Sequence, residues 1–212
     1  EMPLWADLFI ALGLLIAVRV ISATISDRTN REIGPALWFL GAAPVWLLLA
    51  FIVGNIPGLV GINSVVQTAF YRGAVVGLWL SVAGFGVVYY LIPKITGRSA
   101  AKPTKLAVMG FWSLGFVWAF AGAADLTYTP APGWLQTIGV VFSIVHFLPL
   151  AMHMTDLVGL MRGHWGQARE RKTIRFNGAA SILLIEIAHI NQLQALRSSN
   201  SEVGNTSVGA NY

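Results

Sequence analysis

Long apolar runs separated by short polar breaks set the first expectation for this chain. A helix needs about 20 mostly apolar residues to cross a bilayer, and six stretches have approximately that character: 4–25, 36–57, 67–93, 105–127, 133–161 and 174–195. The sixth is the least uniform, because Glu186, His189 and Asn191 interrupt it. The pattern predicts an all-α fold, a polytopic membrane helix bundle of about six transmembrane helices, with residues 1–197 forming one bundle. Residues 198–212 read as a polar tail or the start of an incomplete further helix. Pro93 with Gly97, and Pro130 with Pro132 and Gly133, mark helix ends. Gly73, Gly77 and Gly84 recur on one face of the third run, where small residues let helices pack closely in lipid.

The polar breaks sort by charge. The connections near 26–35, 93–105 and 162–175 hold eleven of the 14 basic residues, Arg28, Lys94, Lys102 and Arg162 among them. The alternate breaks, GNIPGLVGINSVVQ and LTYTPAPG, hold none. Cytoplasmic loops carry the excess of Lys and Arg, so both ends are expected on the outer, periplasmic side of a bacterial cytoplasmic membrane. The net charge of +5 is then a topology signal that also favours anionic lipid, and no nucleic-acid partner is expected. The opening EMPLWADLFIALGLLIAV has no basic leader, so it reads as a spanning helix rather than a cleaved signal. The missing initial Met suggests a processed or incomplete start.

Composition agrees with a lipid environment. The chain is 56% hydrophobic and 11% charged, against about 25% charged in an ordinary soluble domain. Eight Trp and eleven Phe suit interfacial aromatic belts. With no Cys, disulfides, thiolate metal sites, iron–sulfur clusters and covalently attached haem are excluded. No zinc-ligand spacing, phosphate loop, dinucleotide signature or nucleophile with an adjacent base appears.

What remains for chemistry is a handful of polar residues at membrane depth, where ionisable groups are costly and mark function by default. Arg72 and Asp125 fall near the same end of neighbouring runs and are candidates for a buried ion pair. His146 and His153 lie seven apart, two turns along one helix face, so they cannot grip one haem iron from opposite sides. His153 with Asp156, and Glu186 with His189, share an i, i+3 spacing that also orients liganding imidazoles. For these five residues helix-contact hydrogen bonding, haem ligation and proton relay all stay open. His164 lies in a basic loop and reads as solvated.

Several stretches together resemble subunit I of the haem-copper oxidase superfamily, in its C-type cytochrome c oxidase and nitric oxide reductase branch. They are FYRGAVVGLWLSVAGFGVVYYLIPKITGR (70–98), FWSLGFVWAFAGAADLTYTPAPGWLQTIGVVFS (111–143) and, more loosely, the two ends of the chain. The resemblance covers nearly the whole chain but only about the central half of a full subunit I. It implies a respiratory electron-transport family with haem and copper. Carried over residue by residue, the copper-ligand positions fall on Gly73, Ala124 and Asp125, and the active-site Tyr position on Trp118. Two haem-ligand positions fall on Ala210 and Tyr212, and Glu186 corresponds loosely to a family Glu near the site. These positions read as vestigial, so no metal and no catalytic residue are expected in this chain. Copper is not expected, while haem b stays open through His146, His153 or His189.

The resulting expectation is a non-catalytic accessory subunit within a respiratory or redox membrane complex, contacting other membrane subunits, lipids and a quinone. The alternatives are a component of a catalytic oxidase or nitric oxide reductase whose ligands come from elsewhere, a small b-type haem electron-transfer subunit, and an unrelated transporter or channel.

Overall fold

The computed structural model describes residues 4–29, 34–97, 103–127, 129–164 and Gly166. The run at 174–195, with Glu186 and His189, lies outside the described residues, as do Ala210 and Tyr212. Among the described residues every regular element is helical. Helix α1 is Leu4–Ser26 and α2 is Pro35–Gly54; α3, Ile62–Arg72, continues through a π-helical segment, Gly73–Trp79, into α4, Leu80–Thr96. Then come α5, Lys105–Ala121, a 3₁₀ turn, Gly122–Leu126, α6, Gly133–Val145, and α7, Phe147–Met161. Among the described residues, five helical stretches are long and apolar enough to span a bilayer: Trp5–Ser26, Pro35–Gly54, Ile62–Lys94, Lys105–Leu126 and Gly133–Met161.

Local chemistry explains the boundaries. Pro35 opens α2 at its first position, where a missing N–H costs nothing and the fixed φ is already helical. Gly97 closes α4 in the left-handed conformation, φ 64°, which glycine adopts without a Cβ penalty. The third span starts at Ile62, five residues before the expected 67, and Gln67 shows why. Its Nε2 donates to Val53 O at 2.8 Å and to Ile56 O at 3.2 Å, so this polar residue serves the open carbonyls at the end of α2 rather than marking a loop. The fifth span runs through one irregular residue, His146, with Pro149 just beyond it: proline has no N–H to bond the carbonyl four residues back, that of Val145, and its ring crowds it.

The helices pack as a bundle in which α2 lies against α4, α5 against α6 and α7, and α3 against the 3₁₀ turn. Helix α1 packs on α2 and presents Trp5, Phe9, Leu12 and Ile16 outward. The main core is aromatic. Phe39 stacks on Tyr89 at 5.5 Å between ring centroids and meets Phe111 edge-on at 5.1 Å and Phe85 at 5.8 Å. A smaller cluster of Ala69, Ala123, Leu126 and Ala131 closes the end of the bundle beside the 3₁₀ turn.

Lipid is itself apolar, so moving a side chain from bilayer to core gains little; what holds these helices is tight packing. Phe39→Ala therefore costs mainly its cavity and lost ring contacts, on the order of 3 kcal/mol. Phe116→Ala, on an outward face, leaves the unfolding midpoint in detergent almost unchanged.

Candidate functional site

Two interior groupings carry the polar candidates. The first lies near the end of the bundle where α4 closes and α5 begins. Thr104 is extended, φ −71° and ψ 160°, and caps α5 by accepting from the Ala107 amide at 3.0 Å. Its hydroxyl proton goes to Asp156 Oδ1 on α7, at 2.6 Å. The other carboxylate oxygen, Oδ2, accepts from the Tyr89 hydroxyl on α4, at 2.8 Å. Asp156 thus ties α4, α7 and the start of α5 through one carboxylate.

His153, fully buried one turn before Asp156, completes the grouping. The expected His153–Asp156 partnership is indirect, because both side chains meet at Tyr89, whose oxygen is 3.2 Å from His153 Nδ1. With the phenol's one proton directed to Asp156, the tautomer that completes the grouping carries its proton on Nδ1. Nε2 has no hydrogen-bond partner among the described residues and lies against the Gly110 backbone on α5. A Cβ built at Gly110 would stand 2.7 Å from Nε2. The imidazole packs against Phe85, 4.4 Å between centroids, and edge-on to Phe39, 5.1 Å.

The second grouping collects the positions singled out by the oxidase resemblance. Gly73 meets Gly122 at the end of α5, Trp118 lies across Gly77, and Ala123 and Ala124 are buried beneath Gly139 of α6. Trp118 is edge-on to the buried His146 ring at 4.7 Å. Arg72 and Asp125 stand beside this grouping but turn outward. Their closest approach is 4.0 Å, with side chains 68% and 37% exposed. The expected buried ion pair is therefore an outward-facing pair at the limit of contact. Arg72 follows a different helix face from its neighbour Gly73, which is the residue that points at α5. His164 accompanies Arg162 in the basic turn, its Nδ1 3.1 Å from the Arg162 carbonyl.

Tyr89 and Thr104 were not legible as functional partners. Thr104 had a signal, a hydroxyl residue just ahead of an apolar run. Tyr89 had none, because it lies 67 residues from Asp156 in sequence.

Residues 1–204 match the family described as cytochrome C and quinol oxidase polypeptide I. The chain belongs to that family. It is 30% identical over 186 residues to a cytochrome c oxidase subunit 1 homolog of Agrobacterium tumefaciens, covering 82% of this chain and 34% of that protein. It is also 30% identical over 189 residues to cytochrome c oxidase subunit 1 of Rhodobacter capsulatus, 81% of this chain and 35% of the relative. To the Cbb3-type cytochrome c oxidase subunit CcoN1 of Stutzerimonas stutzeri it is 26% identical over 182 residues, 80% and 38% respectively. The chain thus spans little more than a third of the length of these oxidase relatives. Its helical spans and its family make it a multi-pass membrane protein.

Oxidase subunits of this family normally hold haem and copper, which makes the donor set the test. Copper in such a site takes imidazole ligands, and Gly73, Ala124 and Asp125 offer none. Among the described residues no group of three or more His, Asp and Glu could hold a metal ion. These residues do not fit copper. His153 does not fit an axial haem ligand either, since Nδ1 faces Tyr89 and Nε2 is covered by Gly110.

Three outcomes follow for these groupings. Tyr89→Phe removes two interhelical hydrogen bonds, to Asp156 and with His153, and lowers stability by about 0.6–1.7 kcal/mol for each. Gly110→Ala drives a methyl into a buried imidazole already packed against Phe85 and Phe39, and costs about 1–3 kcal/mol. Arg72→Ala changes stability by less than about 1 kcal/mol, as for exposed pairs, rather than the 3–5 kcal/mol of a broken buried one. Thermal unfolding of the three variants in one detergent checks all of them.

Proposed function

We propose that this chain acts as a non-catalytic, subunit-I-like membrane subunit and is a structural part of a larger respiratory or redox complex. What supports this reading is the residue-by-residue carry-over from the oxidase resemblance, which puts Gly73, Ala124 and Asp125, none of them an imidazole, at the copper-ligand positions, with Ala124 buried. An oxygen-reducing centre needs its copper ligands, and side-chain chemistry at these three positions cannot supply them. The fold is kept for its helix faces. Trp112, Phe116 and Phe120 on α5, with Val141 and Ile144 on α6, face outward, toward lipid or the helices of neighbouring subunits. The relatives are named as subunits of cytochrome c oxidases, which supports other membrane subunits as partners. The three basic connections face the cytoplasm of a bacterial membrane by the same charge rule that governs short loops.

Purification with its native neighbours, followed by copper analysis and a redox difference spectrum, tests the reading. No copper is expected at the Gly73, Ala124 and Asp125 positions, with partner subunits retained through purification. One copper per chain, lost on substitution of Asp125, overturns it.

A further inference from the structure

The space at the copper-ligand positions is not merely short of ligands; its volume is taken. A Cβ built at Gly73 would stand 2.8 Å from the Gly122 Cα, a separation real Cβ atoms do not adopt. The obstacle is backbone, which cannot swing aside. One turn on, a Cβ at Gly77 would fall inside the Trp118 indole, overlapping Cη2, Cζ2 and Cζ3. Trp118 is itself fixed, being 4% exposed and edge-on to His146. On the third side, a Cβ at Gly139 would run into the backbone of Ala123 and Ala124. The π-helical turn begins at Gly73 and carries Gly77, so the widened part of the span is the part that receives the indole.

We infer that Trp118, seated on Gly77 with Gly73 closed on Gly122, makes this position a sterically shut helix joint that restored histidines cannot reopen to a metal. The inference rests on the proposed non-catalytic reading and goes past it. Missing ligands alone would leave a site that substitution can repair, whereas a closed joint would not accept the ligands. The same contacts are then the attachment between the α3–α4 span and the α5–α6 pair.

Two experiments on the intact membrane complex test this. The first restores all three imidazoles, as G73H/A124H/D125H, and measures copper per chain after loading with cuprous ion. The closed joint predicts no stoichiometric copper. One copper per chain in that variant, with none in the wild type, overturns the closure while leaving the non-catalytic reading intact; copper in the wild type overturns that reading instead. The second experiment stands whether or not the triple variant assembles. Gly→Ala in a helix interior ordinarily stabilises, as it should for Gly13, which has nothing within 4 Å of an added Cβ. Gly77→Ala should instead lower the thermal midpoint by about 5 °C or more. That loss should shrink when Gly77→Ala is made in a Trp118→Ala background, because the two residues contend for one volume. An unchanged midpoint for Gly77→Ala, or the same loss in both backgrounds, overturns the joint.

Discussion

Backbone approaching backbone is the constraint on which this bundle depends. In a bilayer the hydrophobic effect does not draw helices together, so association rests on close packing and on interhelical hydrogen bonds. The chain achieves the first where side chains are smallest. Gly73 closes on Gly122, Gly139 closes on Ala123 and Ala124, and the intervening volume belongs to Trp118. Remove the small residues and the third, fourth and fifth spans can no longer meet at these distances.

The second mode of attachment occupies the other grouping, and its chemistry is complementary. One carboxylate, Asp156, accepts from Tyr89 and Thr104 and so joins three helices with two short hydrogen bonds. Such a carboxylate would be costly at membrane depth without donors, and here both oxygens have one. His153 adds shape as much as bonding, its ring filling the space between Phe39, Phe85 and Gly110. An apolar joint of small residues and a polar knot of four side chains therefore brace the third, fourth and fifth spans at two separate places.

Much of this fold was legible in the sequence. Run lengths gave the spanning character because bilayer thickness fixes helix length, and the recurrence of Gly73 and Gly77 foretold a packing face. The i, i+3 spacing of His153 and Asp156 pointed to a polar grouping on α7. Other features depended on tertiary context. Gln67 looked like a loop residue because composition does not show that its amide reaches the carbonyls of α2. The π-helical turn has no mark in the sequence, because a face drawn at 3.6 residues per turn assumes α-helix throughout. Arg72 and Asp125 do come within 4.0 Å of each other, but sequence position does not fix direction, and both point outward. Trp118 was marked by its place in the oxidase resemblance, while its seat on Gly77, 41 positions away in the chain, becomes visible only in three dimensions.

The most direct test of the central claim is a high-resolution density map of the intact membrane complex around residues 73, 118 and 124. The account predicts continuous density for the Trp118 indole resting on Gly77, with Gly73 and Gly122 in van der Waals contact. A strong isolated peak between these helices, or an indole turned away to leave an open chamber there, would contradict it.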